Sequence, residues 1–370
     1  MKILVTGSSG HLGEALVRTL RDKNCEVIGV DIISSEFTNA AGSIVDPRFV
    51  KRCMAGVDAV IHTATLHKPH VAIHSRQSFV ETNITGTLNL LEEALLAGVG
   101  SFVFTSTTSA FGSALTASPG SPTAWITEDI RSVPRNIYGV TKTAAEDLCE
   151  LFHRKFRLAC LILRTSRFFP EQDDREQMRS AYDDGNLKVN EFLYRRVDLE
   201  DVVSAHLLAI EKAPLITFGR YIVSATTPFT RDDLFDLHAN APLVLKRRFP
   251  DYEAEYARRG WKMFPEIDRV YVNARARNDL GWRPQYDFRY VLDRLKASDD
   301  PRSPLARTVG SKGYHPHPFA EGPYPVEYPP SPWLWLLLQA NRQFQASEPK
   351  QDYPQQGFLA FPKRPSNMVA

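Results

Sequence analysis

A phenol and an ammonium group stand four residues apart in the segment Tyr138-Gly139-Val140-Thr141-Lys142. On a helix, side chains at this spacing lie one turn apart on the same face. A free tyrosine, with a pKa of about 10, is a poor base at neutral pH, but a nearby lysine cation stabilises the phenolate and lowers that pKa. The pair could then take a proton from a substrate hydroxyl while a hydride leaves the same carbon atom.

A run of hydroxyl side chains, from Thr105 to Ser109, comes before this pair along the chain. It follows an apolar stretch, and in parallel sheets ligands bind at the C-terminal ends of the strands. We therefore assign Thr107 to the substrate oxygen and predict a catalytic set of Thr107, Tyr138 and Lys142, with Thr108 also next to the substrate. The alternative interpretation is a Ser/Thr-rich strand end followed by an ordinary helical i,i+4 pair.

A glycine-rich turn, Thr6-Gly7-Ser8-Ser9-Gly10-His11-Leu12-Gly13, follows the first apolar run and opens the first helix-like segment. Such glycines allow a tight turn and close approach of the backbone to a pyrophosphate, which the helix N-terminus attracts. Asp31 ends the next strand-like segment, where its carboxylate can accept both hydroxyls of an adenosine ribose. Because it would repel a 2′-phosphate, and no Arg or Lys follows in residues 32–37, we predict NAD rather than NADP. A ligand-free glycine turn and a plain strand-end carboxylate are the alternatives.

Asp46 is a further candidate for cofactor binding. It follows a short strand that we predict at Ser43–Val45, and from there its carboxylate could reach the adenine amino group. A turn-forming aspartate before Pro47 explains the residue almost as well.

An alternation of strand-like and helix-like segments predicts the frame that positions these residues. Strands are expected at Lys2–Val5, Glu26–Val30, Val57–Ala64, Ser101–Thr105, Leu158–Leu163 and Arg220–Val223. Helices are expected at His11–Arg21, Phe79–Ala97, Tyr138–Phe156 and Asp198–Lys212. Strands and helices in alternation indicate a parallel sheet with right-handed crossovers and helices on both faces.

We therefore predict an α/β protein with a Rossmann-type doubly wound parallel sheet, a smaller C-terminal substrate lobe and an extended Pro-rich tail. The expected boundaries are residues 1–165 for the NAD-binding domain, 166–300 for a lobe interleaved with it, and 301–370 for the extension. About half of the 25 prolines lie in the extension. Its aromatic residues favour an ordered wrap around the body, with disorder as the alternative.

Composition excludes several classes of protein. The chain has 370 residues, 43% hydrophobic and 24% charged, with a net charge of +2, which is typical of a globular protein that binds neither nucleic acid nor an anionic surface. The apolar run Trp333–Leu338 is far shorter than the roughly 20 residues of a membrane span. The four cysteines lack C-x-x-C spacing, which favours free thiols in a reducing, cytoplasmic setting.

Three histidines, His67, His70 and His74, are spaced as in some metal sites. No acidic or cysteine partner stands near them in the sequence. We predict that the protein binds no metal and that these histidines lie near the entrance of the active site.

At this point the sequence resembles the extended short-chain dehydrogenase/reductases, a family that includes nucleotide-sugar epimerases and dehydratases. The resemblance spans about residues 1–295. It rests on the glycine turn, Asp31 and the Tyr138/Lys142 pair, and on further segments: His62-Thr63-Ala64-Thr65, Asn83-Ile84-Thr85-Gly86-Thr87, Ser106-Thr107, Leu163-Arg164, Val197-Asp198-Leu199-Glu200-Asp201-Val202 and Leu280-Gly281-Trp282-Arg283-Pro284.

The resemblance implies NAD as the cofactor and a homodimer formed through the helices Phe79–Ala97 and Tyr138–Phe156. It places Gly7, Ser9, Gly10, His11, Leu12 and Gly13 at the pyrophosphate, Asp31 at the ribose, Asp46 with Ile44 or Val45 at the adenine, and Ala64 and Thr65 beneath the cofactor. It also implies that Asn83 orders the active-site backbone, and that Thr105, Tyr138 and Lys142 contact the cofactor.

Two departures from the family bear on the substrate. Arg167 stands where the family often has an asparagine that contacts a sugar nucleotide. Together with Arg195 or Arg196 it suggests an anionic substrate; for this arginine doublet an ion pair with Asp198 or Asp201 is the alternative. Dehydratases of the family carry an Asp-Glu pair just after the catalytic threonine, where this chain has Thr108-Ser109-Ala110, so a dehydratase is disfavoured.

We therefore predict an NAD-dependent oxidoreductase or epimerase that acts on a hydroxyl of a sugar or nucleotide sugar. The alternatives are a dinucleotide-binding sensor or scaffold without turnover, and a reductase of a non-sugar alcohol or ketone.

Overall fold

The parallel sheet predicted from the sequence is present in the computed structural model, which describes residues 1–116 and 120–313. These residues form nine strands: β1 (Lys2–Thr6), β2 (Glu26–Asp31), β3 (Ala40–Ala41), β4 (Ala59–His62), β5 (Ser101–Thr107), β6 (Ala124–Ile126), β7 (Cys160–Thr165), β8 (Phe218–Val223) and β9 (Arg269–Tyr271). The predicted wrap of the Pro-rich tail and the run Trp333–Leu338 lie outside the described residues.

Seven strands form one parallel sheet in the order β3-β2-β1-β4-β5-β7-β8, and β6 pairs with β9 in a second, two-stranded sheet. The strand order changes direction between β1 and β4. Ligands bind in the crevice beyond the C-terminal ends of the strands at such a switch point.

Helices connect the strands across the described part of the chain. They are α1 (His11–Asp22), α2 (Pro47–Cys53), α3 (Arg76–Val80), α4 (Gly86–Leu96), α5 (Ile137–Phe156), α6 (Glu176–Ala181), α7 (Asp184–Glu191), α8 (Leu199–Ile216), α9 (Leu234–Arg248), α10 (Tyr252–Arg259), α11 (Ala274–Asp279), α12 (Phe288–Lys296) and α13 (Pro304–Val309). Between α3 and α4 the chain makes a π-helical turn, Glu81–Thr85. The helix predicted at Phe79–Ala97 is therefore helical throughout but changes its hydrogen-bond pattern near the active site.

Both faces of the large sheet are covered by helices. Successive side chains of a strand point to opposite faces. In β1, Ile3 and Val5 pack with α1 and α8, whereas Leu4 packs with α2, α4 and α5. All three side chains are buried. The predicted doubly wound parallel sheet is thus confirmed.

A separate apolar core lies in the second half of the chain, where α7, α9, α10 and α12 contribute Leu187, Leu237, Tyr256 and Val291. The segment between β5 and α5 also reaches this region, because Ile126 of β6 is in register with Tyr271 of β9. The smaller lobe therefore takes residues from both halves of the chain. The domain boundaries at residues 165 and 300 stay a prediction.

One predicted strand is wrong. Ser43–Val45 forms a turn, and the nearest strand is β3. Pro47 begins α2, and Asp46 caps that helix by accepting a hydrogen bond from Arg48 N at 2.9 Å. Since the fixed backbone angle of proline suits the first turn of a helix, the chain turns here instead of extending.

All four cysteines carry free thiols, as their spacing predicted. Of the helices formed by residues 1–116 and 120–313, none combines the length and the apolar character that crossing a membrane requires.

Candidate active site

A cavity of about 860 Å³ opens at the C-terminal ends of β1, β4, β5 and β7. Most of the predicted site residues line it: Gly7, Ser9, Gly10, His11, Leu12, Gly13, Asp31, Ala64, Thr65, Thr105, Thr107, Thr108, Tyr138, Lys142 and Arg167. Asn83, Asp46 and Arg196 are not among the described residues that line it. The fold therefore brings the glycine turn and the catalytic set into one cavity.

The glycine turn is packed so closely that side chains would not fit. A Cβ atom on Gly13 would lie 1.9 Å from Gly7 O, and one on Gly7 would lie 2.8 Å from Ala64 N. Gly7 also has a positive φ of 72°, which glycine adopts freely. Gly10 is the N-cap of α1 and offers no side chain to the first N–H groups of the helix. The turn and the N–H groups at the start of α1 therefore fit the diphosphate of a dinucleotide.

Asp31 lies at the end of β2 beside this turn. Its Oδ2 accepts a hydrogen bond from Ser9 N at 3.0 Å, and its Oδ1 accepts one from Ile33 N at 3.0 Å. Backbone groups thus hold the carboxylate at the edge of the cavity, where it could meet the adenosine ribose. Asp46 is exposed and caps α2, which agrees with the alternative interpretation of a turn-forming aspartate before Pro47. A contact between Asp46 and adenine stays a prediction.

A buried histidine connects the turn after β1 with the segment after β4. His62 Nδ1 lies 2.8 Å from Thr6 Oγ1, and His62 Nε2 lies 3.0 Å from Thr87 Oγ1. Burial, assisted by the charge of Lys142, holds the pKa of His62 well below its usual range, so the ring is neutral. Thr6 Oγ1 also accepts from Ala64 N at 3.1 Å. These bonds fix the backbone beneath the predicted cofactor position.

Asn83, in the π-helical turn, is the residue that joins this backbone to the catalytic helix. Its Oδ1 accepts from Thr65 Oγ1 at 2.9 Å and from Leu66 N at 2.8 Å. Its Nδ2 donates to Thr141 Oγ1 at 3.0 Å, and Thr141 lies between Tyr138 and Lys142 on α5. A change of helical pattern at a functional site is common for π turns.

The catalytic set predicted from the sequence comes together at the end of β5. The Tyr138 hydroxyl is hydrogen-bonded to the side chain of Thr107. Lys142 is buried one turn further along α5, where its Nζ donates to Thr105 O at 2.6 Å and lies 4.0 Å from the centroid of the Phe104 ring. All three groups therefore face the same end of the sheet.

The ionisation of this set differs from our expectation. Burial raises the pKa of Tyr138 to about 12, and the bond from Thr107 opposes this shift only in part. Burial also lowers the pKa of Lys142 to about 7, although Glu146 favours its charged form. The expected lowering of the tyrosine pKa by the lysine is thus wrong for this structure, because the lysine ammonium is itself desolvated and bonds to Thr105 O.

The arginines chosen from the sequence are held by carboxylates. Arg167 Nη1 lies 2.5 Å from Asp173 Oδ2 and 3.0 Å from Glu191 Oε1. Arg196 Nε donates to Glu191 Oε2 at 2.9 Å. Glu191 and Asp173 are fully buried, and the three arginines beside Glu191 hold the pKa of its carboxyl far below the usual range despite burial. The ion pair of Arg196 is therefore with Glu191 rather than with an aspartate, and its contact with a substrate stays a prediction.

Two other arginines offer donors to the cavity: Arg195, the alternative to Arg196 in the sequence, and Arg269, which we did not predict. Arg195 and Arg269 both line the cavity. Arg195 Nη2 lies 2.6 Å from Glu191 Oε1 without a hydrogen bond, and Arg195 Nε and Arg269 Nε are buried without a partner among the described residues. The Arg195-Arg196 doublet was a visible signal for one of them; Arg269 had none, because only the pairing of β6 with β9 brings it to the site.

The histidines near the cavity form a ring cluster. His67 lies against Tyr138, with ring centroids 6.1 Å apart, and His70 lies between His67 and His74. Burial, and then the charge of His70, holds the pKa of His67 well below its usual range. Within residues 1–116 and 120–313, no group of three or more His, Cys, Asp and Glu side chains could hold a metal ion.

The sequence model of the NAD-dependent epimerase/dehydratase family matches residues 3–220, a range that includes the glycine turn and the catalytic set. The chain belongs to this family. It is therefore an enzyme of the NAD-dependent epimerase/dehydratase type, and NAD is its cofactor. The family, the enzyme class and the cofactor predicted from the sequence are confirmed.

Curated relatives of this enzyme catalyse different reactions. A UDP-glucose 4-epimerase of Rhizobium leguminosarum is 26% identical over 78% of this chain and 94% of its own length. A dTDP-glucose 4,6-dehydratase of Streptomyces antibioticus is 28% identical over 78% of this chain and 89% of its own. A 2-alkyl-3-oxoalkanoate reductase of Stenotrophomonas maltophilia is 28% identical over 80% of this chain and 99% of its own length. Membership of the family therefore leaves the reaction open.

Solved structures share the fold. A short-chain dehydrogenase/reductase protein of Agrobacterium tumefaciens with bound NAD superposes with a TM-score of 0.59 at 22% identity, covering 83% of this chain and 99% of that one. MoeE5 in complex with UDP-glucose and NAD superposes with a TM-score of 0.55 at 20% identity, covering 80% of this chain and 98% of that one. At this identity the likeness concerns the fold.

Proposed function

We propose that this enzyme oxidises a hydroxyl of an anionic sugar or nucleotide sugar with NAD, and that it either returns the hydride to give an epimer or releases the oxidised product. The observation that carries the proposal is the grouping of Thr107, Tyr138 and Lys142 in the same cavity as the glycine turn. An intact catalytic set argues against a sensor that only binds the dinucleotide.

Tyr138 is the proposed proton acceptor. NAD supplies the hydride acceptor when bound. The Tyr138 oxygen takes the hydroxyl proton as the carbon is oxidised, and it returns that proton when a keto group is reduced. Thr107 positions the reacting oxygen and donates a hydrogen bond that stabilises the phenolate. Lys142, one helical turn from Tyr138, would hold the cofactor beside the reacting groups, and with a pKa of about 7 it carries a positive charge in only part of the molecules at neutral pH.

Arg195 and Arg269 are the proposed contacts for the negative group of the substrate. Both line the cavity, and both have buried N–H groups without a partner among the described residues. A guanidinium donor that is buried and unpaired is costly, and a phosphate or carboxylate oxygen would satisfy it with a charge-assisted bond. Arg167 also lines the cavity, and both Arg167 and Arg195 pair with Asp173 and Glu191. Arg195 is preferred as the substrate contact because its buried Nε has no hydrogen-bond partner among the described residues.

Elimination of water is disfavoured. A dehydratase needs an acid next to the reacting carbon, and Thr107 is followed by Thr108-Ser109-Ala110. Among the described residues that line the cavity, Asp31 is the sole carboxylate, and it lies at the glycine turn. Epimerisation and net oxidation therefore fit the site better than dehydration.

Reduction of a non-sugar ketone is the second candidate. The reductase of Stenotrophomonas maltophilia aligns over 80% of this chain, and the apolar side chains of Leu115, Phe168 and Phe169 line the cavity. The same Tyr138 would then donate a proton to the ketone oxygen. Arg195 and Arg269 are paired with Glu191 and Asp268, but an uncharged substrate would leave their buried Nε groups without a hydrogen-bond partner among the described residues, which is why we rank this reaction second.

A homodimer in the cytoplasm is the proposed setting. The outer surfaces of α4 and α5 expose Leu96, Val140, Leu151 and Phe156, which a partner subunit would cover. Four free cysteines suit a reducing compartment. Light scattering during size-exclusion chromatography would report twice the chain mass of 41.8 kDa if the proposal is right and the chain mass if it is wrong.

The test of the reaction is a substrate screen. The purified enzyme is incubated with NAD and a pool of nucleotide sugars, sugar acids and free sugars, with NADH followed by absorbance and sugar isomers separated by chromatography. Isomers without NADH indicate an epimerase, and NADH with an oxidised sugar indicates a dehydrogenase. A parallel incubation contains NADH and a set of non-sugar ketones; if NADH is consumed there and no sugar reacts with NAD, the second candidate replaces the first.

A further inference from the structure

The last described residues of the chain line the cofactor cavity. Lys312 and Gly313 line the same cavity as Gly10 and His11. They follow α13, well beyond the residues 3–220 that the family model matches. A segment outside that match, Ser311–Gly313, is thus part of the cleft; we call it the strap.

Glu171 holds the strap in place. Its Oε1 accepts hydrogen bonds from Ser311 Oγ at 2.9 Å, Gly313 N at 3.1 Å and Lys312 N at 3.2 Å. The same oxygen lies 2.9 Å from Nε2 of His11 in the glycine turn. Burial by itself would raise the pKa of Glu171, but the bonds from His11 and Ser311 lower it to about 2. An ionised carboxylate therefore ties the strap to the phosphate-binding turn.

The charge of Lys312 lies at the N-terminal turn of α1. Its Nζ forms an ion pair with the buried Glu14, which also accepts from Arg18 Nε at 2.8 Å. A carboxylate in this turn repels a diphosphate at the helix N-terminus, Arg18 offsets it only from the next turn of α1, and the segment Thr6–Gly13 itself contains no Lys or Arg. Lys312 brings a positive charge to this position from the far end of the described chain.

We propose that the strap closes over the diphosphate of NAD, that Lys312 binds the diphosphate, and that Glu171 fixes the strap and thereby slows the release of the cofactor. The inference rests on NAD as the cofactor and is independent of the substrate. Slow release would suit a reaction in which the hydride returns to the substrate, because the reduced cofactor must then stay bound until it is reoxidised.

The test measures cofactor binding directly in the full-length enzyme. Lys312→Gln removes the charge and keeps most of the side-chain length. We expect the NAD dissociation constant, measured by calorimetry, to rise about tenfold, the equivalent of about 1.4 kcal/mol, and the NADH release rate, measured by stopped-flow fluorescence, to rise with it. Lys246→Gln is the matched control, because Lys246 also pairs with a glutamate, at 2.8 Å from Glu253, and does not line the cavity.

Two comparisons separate phosphate binding from support of the fold. Lys312→Gln should weaken binding of ADP but leave adenosine unchanged, and Lys312→Arg should restore ADP binding. Glu171→Gln should speed NADH release several-fold. Wild-type binding of NAD and ADP by Lys312→Gln would overturn the proposal, and so would an equal loss for ADP and adenosine. Because these readouts need no substrate, they stand apart from the proposed reaction.

Discussion

Replacing Thr107 by valine removes the hydroxyl that bonds to Tyr138 and nearly preserves the shape of the side chain. That hydrogen bond is what opposes burial and keeps the pKa of Tyr138 from rising above about 12. A hydrogen bond to a charged group contributes about 1.5–3 kcal/mol, and one pKa unit corresponds to about 1.4 kcal/mol. Without the bond the phenolate is less stable, so we expect the pKa of Tyr138 to rise by about 1–2 units.

The consequence is a displaced pH profile. Tyr138 must be deprotonated to accept the hydroxyl proton, so kcat/KM for oxidation rises with pH below its pKa. In Thr107→Val the rising limb should move to higher pH by about 1–2 units, and kcat/KM at fixed pH should fall about 10- to 100-fold. The assay follows NADH or isomer formation across pH with the substrate that the screen identifies.

Thr107→Ser is the control, because it keeps the hydroxyl and should restore the profile. Thr107 Oγ1 also accepts from Ser109 N at 3.1 Å, so the valine variant loses a turn bond as well. The effect of losing this turn bond on stability is measured separately by thermal unfolding. The loss of the turn bond alone would not shift the pH profile of kcat/KM. A valine variant with the wild-type profile would refute the assignment of Thr107 to Tyr138.

Three further changes test other parts of the site. Gly13→Ala puts a Cβ atom 1.9 Å from a backbone oxygen and should weaken NAD binding, measured by calorimetry, at least about tenfold. The control is Gly100→Ala, whose Cβ would lie 3.7 Å from its nearest atom and which should bind NAD normally. Equal NAD affinities of the two variants would contradict the placement of the diphosphate at the glycine turn. Arg195→Met should raise KM for an anionic substrate about 10- to 100-fold with little change in kcat or NAD affinity, and an unchanged KM would remove Arg195 from the substrate site. His206 is buried and its pKa is lowered to about 4 by desolvation. Between about pH 6.5 and 4 the unfolded chain therefore binds more protons than the folded protein, and the stabilisation by His206 is lost as pH falls through that window. Over this range the difference in unfolding free energy between wild type and His206→Gln should decrease by up to about 3 kcal/mol. A difference that does not change with pH would contradict this prediction.

The parts of the site that depend on local sequence were predictable. The turn Thr6–Gly13, Asp31 and the Tyr138/Lys142 pair each lie within one strand–turn–helix unit or one helical turn, so their spacing alone carries their geometry. Asn83 was placed by its family motif, and its bonds to Thr65 and Thr141 agree with the ordering role expected of it.

The parts of the site that depend on contacts between distant segments of the chain were not predictable from the sequence. The partner of Arg196 is Glu191, but the choice among nearby carboxylates depends on how α7 packs. Asp173 lies in an acidic stretch of the sequence, yet its side chain is buried against Arg167, because an ion pair makes burial of a charge tolerable. Arg269 reaches the site only through the pairing of β9 with β6.

Desolvation was the other effect that the sequence did not reveal. The Tyr138 and Lys142 spacing suggested a lowered tyrosine pKa, but both side chains are almost completely enclosed. Burial then acts on each group in the direction of its neutral form, which raises the tyrosine pKa and lowers the lysine pKa.

The most direct test of the account is Tyr138→Phe, measured for both NAD binding and turnover. The account predicts an NAD dissociation constant close to that of the wild-type enzyme and a loss of at least about 1,000-fold in kcat on the substrate that the screen identifies. Turnover within about tenfold of wild type would show that the proton moves by another route and would contradict the central role given to Tyr138.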